Sequence, residues 1–190
     1  MSLSLQRSSY TPAEYLDMEA ESSVKHEYIA GEVYAMSGAS ERHNRIAGNV
    51  AYRFRTAVRG GPCGVFISDM KLRVQAQNSF YYPDVLLTCQ SDDDHPLYKT
   101  APCILVEVLS PATAAIDRRE KWLAYRNIAS LTTYLLIDAE QRRVEYFQRD
   151  AAGAWRQGVL EAEEILQINC GALNIPLSLD DLYEDVRFAG

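Results

Sequence analysis

The sequence predicts one α/β domain of the α+β type, in which helices flank a mixed β-sheet. Its 190 residues are close to the usual length of a single domain. Segments with helical and with strand periodicity follow one another without the regular alternation of a doubly wound fold. Residues 103–109 are almost wholly apolar, which is typical of a central strand buried on both faces.

The N-terminal half is predicted to contain a short helix and a long one. Thr11 can cap a helix over residues 11–18, since Pro12 suits its first position and Glu14 completes a capping box. Apolar residues four apart predict a second helix over residues 40–58, which the following glycines and proline end.

Strand patterns fill most of the remaining chain. Strands are predicted over residues 26–29, 32–36, 64–68, 70–74, 80–88, 103–109, 132–137, 144–148 and 155–160. The first two flank Ala30-Gly31 and form an N-terminal hairpin, and the last two form a C-terminal hairpin. Pro83 interrupts its strand early. A helix is predicted over residues 111–128, and a short acidic helix or turn over 179–186.

Composition and charge limit the possible function classes. Acidic residues outnumber basic ones, and the net charge of −7 excludes a protein that coats DNA through a basic surface. The polar N-terminus has no signal-peptide core, and no apolar run is long enough to span a bilayer, so we expect a cytoplasmic protein. The four cysteines form no Cys-x-x-Cys pair and are expected to be free thiols.

Two acidic residues occupy positions where a charge is costly. Asp84 follows Pro83 within an apolar run, and Glu107 lies inside the most hydrophobic segment of the chain. Buried carboxylates are usually paired or bound to a metal. If the two strands are neighbours, both carboxylates can reach one point, and this arrangement suits a hard cation such as Mg²⁺.

The helix after Glu107 offers a cationic partner. Asp117, Lys121 and Tyr125 recur four residues apart and therefore share one face. Lys121 could point back to the carboxylates and stabilise the charge that develops on a phosphate. For Asp117, an N-cap at the start of Asp-Arg-Arg-Glu is an equally open interpretation.

These residues lie within a wider pattern that resembles the Uma2 family of restriction-endonuclease-like proteins, also called DUF820, in the PD-(D/E)XK nuclease superfamily. The resemblance covers residues 10–183. Its segments are Tyr-Ile-Ala-Gly-Glu at 28–32, His43, Tyr-Pro-Asp-Val at 82–85, Val-Glu-Val-Leu-Ser-Pro-Ala-Thr at 106–113, and Asp117 with Lys121 and Tyr125.

The resemblance implies a restriction-endonuclease-like fold and a metal-dependent endonuclease that hydrolyses phosphodiester bonds in DNA. It implies that Asp84, Glu107 and the carbonyl of Val108 bind Mg²⁺, for which Mn²⁺ can substitute. Lys121 would take the place of the lysine that the parent motif puts two residues after the second acid. Position 109 is leucine here, so that motif is broken.

Three further residues match recurrent positions of the family and are candidates for supporting roles. They are Glu32, His43 and Asp117. The resemblance also implies that DNA is the substrate. We expect a homodimer, because cutting both strands calls for two sites. No organic cofactor and no membrane are expected.

Two other functions stay open from the sequence alone. One is a catalytically inactive nuclease-fold protein that binds nucleic acid or a protein partner. The other is a dimerisation module whose tyrosine-rich hairpins form the interface. Positive charge for DNA would have to come from the two helices that could flank the site, through Arg42, Arg45, Arg53, Arg55, Arg59, Arg118, Arg119 and Lys121.

Overall fold

The computed structural model describes residues 9–111 and 113–188, so most of the polar N-terminus lies outside the described residues. The helices are α1 (Pro12–Glu21), α2 (Glu41–Ala57), α3 (Ala114–Ile116), α4 (Trp122–Tyr125) and α5 (Leu179–Leu182). The strands are β1 (His26–Ile29), β2 (Glu32–Ala35), β3 (Gly64–Ile67), β4 (Lys71–Val74), β5 (Ser79–Tyr81), β6 (Val85–Thr88), β7 (Tyr98–Lys99), β8 (Ile104–Leu109), β9 (Thr133–Asp138), β10 (Val144–Arg149), β11 (Trp155–Val159), β12 (Leu166–Cys170) and β13 (Leu173–Leu177).

A six-stranded mixed sheet, in the order β11-β10-β9-β8-β6-β3, lies at the centre of the fold. Its strands β8 and β9 are parallel, and its other neighbours are antiparallel. A five-stranded sheet, β2-β1-β5-β4-β7, lies beside it, and β12 pairs with β13. The predicted mixed sheet with flanking helices and both predicted hairpins are therefore confirmed.

Strand β8 is central, as its apolar sequence predicts. All six of its residues are buried. Alternate residues of a strand face opposite sides of the sheet, and β8 accordingly contributes to two cores. Ile104 and Val106 pack in a cluster with Phe54 of α2, whereas Leu105 and Leu109 pack in another with Tyr125 of α4.

The predicted strand over residues 80–88 is wrong in one respect, because Pro83 divides it. Strand β5 belongs to the five-stranded sheet and β6 belongs to the six-stranded sheet. Proline has no N–H to donate to a ladder, so the chain changes sheets at this point. Asp84 lies at the junction, directly before β6.

The predicted helix over residues 111–128 begins later and ends earlier than expected. It comprises α3, a π-helical turn over Asp117–Lys121, and α4. Such wide turns are rare and often occur at functional sites. The capping box predicted for α1 is confirmed, with both reciprocal bonds between Thr11 and Glu14 present.

Strands β7, β12 and β13 were not predicted, and the predicted acidic tail forms only the short helix α5. The prediction of free thiols is also wrong, because Cys63 is disulfide-bonded to Cys89 and Cys103 to Cys170. The described part of the chain contains no helix that is both long enough and apolar enough to cross a bilayer.

Candidate active site

Asp84 is held at the start of β6 by two contacts from other elements. Its Oδ2 accepts a hydrogen bond of 2.7 Å from the backbone N–H of Val108, and lies 3.2 Å from Nε2 of His43. The antiparallel pairing of β6 with β8 places Val85 opposite Val106, which brings Asp84 beside the end of β8. The predicted proximity of Asp84 to this segment is thus present in the fold.

His43 approaches the site from the first turn of α2. Ser40 caps this helix by accepting a hydrogen bond from the His43 N–H, which fixes the turn that carries the imidazole. Burial alone would lower the pKa of His43, but the hydrogen bond and charge of Asp84 outweigh it and raise the pKa. His43 is only 17% exposed, so it is not the exposed histidine that a helix start often carries.

Glu107 is the one acidic residue of β8 and is almost completely buried. Its Oε1 accepts a hydrogen bond of 2.9 Å from the hydroxyl of Tyr125 and lies 3.2 Å from Nζ of Lys121. Burial raises the pKa of Glu107 well above its usual value, and the nearby Lys121 charge only partly opposes this. An ionised Glu107 therefore needs further positive charge nearby.

Lys121 lies among three carboxylates, and its side chain is only 7% exposed. Its Nζ is 3.0 Å from Glu27 Oε1, 3.2 Å from Glu107 Oε1 and 3.2 Å from Asp117 Oδ1. Burial would lower the pKa of Lys121, but the surrounding acids outweigh it and raise the pKa well above its usual value. The predicted meeting of Lys121 with Glu107 is present.

Asp117 is a buried member of this cluster, and the N-cap interpretation of it is wrong. The residue begins the π-helical turn, which keeps it and Lys121 on the inner face. Its backbone oxygen accepts a hydrogen bond of 3.1 Å from the Tyr134 hydroxyl. Its Oδ1 is buried and accepts no well-aligned hydrogen bond, although it lies within ion-pair distance of Lys121.

The cluster has more negative than positive charge. The carboxylates of Glu27, Asp84, Glu107 and Asp117 are compensated by Lys121 and, when it is protonated, by His43. Buried charges without partners are costly, and a bound cation is one common solution. The charge balance thus favours a cation at this position.

The types of donor atom at this site suit a hard divalent cation. The polar contacts of Asp84 use Oδ2 and those of Glu107 use Oε1, so within residues 9–111 and 113–188 one oxygen of each acid has no polar protein partner. No three acids of this cluster bring their oxygens within 4.8 Å of one another among the described residues. Two carboxylates, a backbone carbonyl such as that of Val108, and water are ligands that Mg²⁺ accepts.

One predicted contribution is placed differently. Glu32 is exposed on β2, and its carboxylate accepts a hydrogen bond from Tyr34 rather than joining the cluster. Glu27 occupies the inner position instead, and the sequence does not predict it. Its location depends on the pairing of β1 with β5, a contact between distant segments that no local pattern indicates.

Most of the arginines predicted to serve DNA are engaged by acids. Salt bridges join Arg42 to Glu140, Arg45 to Glu41, Arg53 to Asp181 and Arg118 to Glu145. A cavity of about 510 Å³ at the start of α2 is lined by Glu41, Arg42, Arg45, Asp185, Val186 and Arg187. Arg42 and Arg45 belong to α2 and lie within one turn of His43. Arg187 lines the cavity from the C-terminal segment.

Comparisons with known proteins agree with this architecture. The model of the Uma2 family, described as "Putative restriction endonuclease", matches residues 12–178. Two proteins of Synechocystis sp. are similar: uncharacterized protein slr1290 is 31% identical over 94% of this chain and 93% of its own length, and uncharacterized protein sll1609 is 35% identical over 76% and 84%. A crystal structure titled as a putative nuclease belonging to DUF820, from Anabaena variabilis, shares the fold with a TM-score of 0.75 and 18% identity, over 92% of this chain and 97% of that one.

Proposed function

Because the chain belongs to the Uma2 family, and because its buried acids converge around Lys121, we propose that it is a divalent-metal-dependent DNA endonuclease. The observation that supports this most is the charge imbalance at the end of β8. Four carboxylates, two of them buried and two half-buried, share one lysine and one histidine, so the site is electrostatically prepared for a cation.

Asp84 and Glu107, with the carbonyl of Val108, would hold Mg²⁺. When bound, Mg²⁺ supplies Lewis-acid stabilisation of the scissile phosphate and a water of lowered pKa. Lys121 and Tyr125 fix Glu107 by its Oε1, which leaves Oε2 for the cation. The Val108 N–H and His43 fix Asp84 by its Oδ2 in the same way.

This arrangement gives Lys121 a positioning role. Its ammonium contacts three carboxylates at 3.0–3.2 Å and is almost buried, so its donors are directed at protein groups. Lys121 therefore compensates the charge of the acids and orients Glu107. This differs from a lysine that projects towards solvent and meets the phosphate directly.

Cleavage of supercoiled plasmid DNA tests the proposal. We expect the wild type to nick or linearise DNA with Mg²⁺ or Mn²⁺, and Asp84→Asn to lose at least about 100-fold of the rate. Asparagine can still accept the Val108 N–H through its amide oxygen, so the fold should be retained. The matched control is Asp92→Asn in the exposed loop after β6.

An equal rate in Asp84→Asn and Asp92→Asn would contradict the assignment of the metal site. The alternative function, a nuclease-fold protein that binds without cutting, is distinguished by calorimetry with Mg²⁺ and Mn²⁺. If the wild type binds the ion and cleaves DNA, and Asp84→Asn does neither, the result supports the endonuclease. Absent ion binding supports the alternative.

We further propose that the protein acts in the cytoplasm as a homodimer, since a single metal site cuts one strand at a time. Light scattering at micromolar concentration is expected to give a mass near twice the chain mass of 21.4 kDa. A mass of one chain under the conditions in which both DNA strands are cut would contradict the dimer.

A further inference from the structure

The sulfur atoms of all four cysteines lie together, at some distance from the acidic cluster. Cys63 is bonded to Cys89 and Cys103 to Cys170, and the two pairs are in contact, with 3.2 Å between the sulfurs of Cys89 and Cys170. The sulfurs of Cys89, Cys103 and Cys170 lie within 4.8 Å of one another. The four sulfurs therefore form one group.

The group lies at the other end of the two strands that carry the proposed metal ligands. Asp84 precedes β6 and Cys89 follows it, while Cys103 precedes β8 and Glu107 lies near its end. Cys89 is five residue steps along the chain from Asp84, which in a strand is a length of about 17 Å. The cysteine group is thus a separate site.

The cysteines come from separate segments that meet only in the fold. Cys63 directly precedes the edge strand β3, and Cys170 ends β12 of the C-terminal two-stranded sheet. Cys103 and Cys170 are buried, and Cys63 and Cys89 pack against the same core cluster. The group therefore joins the six-stranded sheet to the β12–β13 hairpin.

We propose that these four cysteines, when reduced, bind one Zn²⁺ as a structural tetrathiolate site. Thiolates select soft or borderline ions, and four of them with no oxygen ligand are typical of structural zinc. Zinc–sulfur bonds of about 2.3 Å place neighbouring sulfurs about 3.8 Å apart in a tetrahedron. The observed contact of 3.2 Å between Cys89 and Cys170 is shorter than that spacing by about 0.6 Å, so the sulfurs need to move little to reach it.

The contact between the pairs is what favours a metal over two independent disulfides. Either disulfide could join its own two segments without lying against the other. A tetrathiolate site, by contrast, requires all four sulfurs at one point. Thr132 reinforces the same junction, because its hydroxyl hydrogen-bonds with the backbone oxygens of Cys103 and Asn169.

A phosphine reductant converts the disulfide form into the thiol form that binds zinc. Each disulfide is cleaved by one phosphine and one water, which gives two thiols and one phosphine oxide. Binding of Zn²⁺ then releases the four thiol protons. The site would exchange two covalent links for one metal centre at the same junction.

The test is metal titration of the phosphine-reduced protein without oxygen. After gel filtration we expect about one zinc per chain, and Co²⁺ should give the intense visible bands of a tetrahedral thiolate complex. Cys170→Ser is expected to lose most of the bound zinc. The matched control, Asp84→Asn, is expected to retain it, which separates this site from the acidic cluster.

Two results would overturn the proposal. One is a reduced protein with four titratable thiols that retains no zinc. The other is a native protein whose disulfides resist the phosphine. Should Cys170→Ser fail to fold, the Co²⁺ spectrum of the wild type decides, since bands without thiolate-to-metal charge transfer exclude sulfur ligation.

Discussion

Lys121→Met is expected to lower the free energy of unfolding of the metal-free protein by about 3–5 kcal/mol. Methionine keeps most of the volume of the side chain but removes the ammonium that contacts Glu27, Glu107 and Asp117. Those carboxylates then lie in a buried cluster without their shared cation. Urea denaturation in EDTA measures the change.

Lys25→Met is the matched control for this substitution. Lys25 pairs with Asp69 at the surface, with 44% of its side chain exposed, and such pairs contribute about 0–1 kcal/mol. Adding Glu107→Gln to Lys121→Met should recover part of the loss, because the two residues share an ion pair and their effects are coupled. Equal losses in Lys121→Met and Lys25→Met would contradict the role of Lys121.

The acidic residues of the site could be found from the sequence because their signal is local. A carboxylate inside a run of apolar residues needs a partner wherever the strand lies, and both Asp84 and Glu107 fulfil this condition. Their meeting required only that two strands joined by one loop be neighbours, and β6 does pair with β8. The fold confirms that these two strands are neighbours.

The remaining parts of the site depend on contacts that no local pattern contains. Glu27 joins the cluster because β1 pairs with β5, which brings it near the Pro83 junction. The cysteine group depends on the packing of the β12–β13 hairpin, whose strands were missed. A local signal did exist there, since Leu166, Ile168 and Cys170 alternate with the exposed Gln167 and Asn169.

Glu107→Gln is expected to abolish metal-dependent cleavage, with a loss of at least about 100-fold. In the metal-free protein it is expected to raise the free energy of unfolding by about 1–3 kcal/mol. Burial opposes the charge of Glu107, and glutamine removes that charge while its oxygen still accepts the Tyr125 hydroxyl. Lys121 keeps Glu27 and Asp117 as partners.

The opposite signs of these two effects separate a metal ligand from a structural ion pair. A carboxylate that served only to pair with Lys121 would destabilise the metal-free protein when removed, and cleavage would fall only with the folded fraction. A ligand carboxylate destabilises the folded protein when no cation is bound. Its removal therefore stabilises the metal-free protein and prevents binding of the cation. Urea denaturation in EDTA and plasmid cleavage with Mg²⁺ measure the two effects on the same preparation.

Glu163→Gln, in the exposed segment between β11 and β12, is the matched control and should change neither quantity. Mg²⁺ should also raise the melting temperature of the wild type and of this control, but not that of Glu107→Gln, because an ion that binds the folded state stabilises it. If Glu107→Gln were less stable than the wild type in EDTA but responded normally to Mg²⁺, Glu107 would serve the ion pair alone, because the cation would then not need its carboxylate.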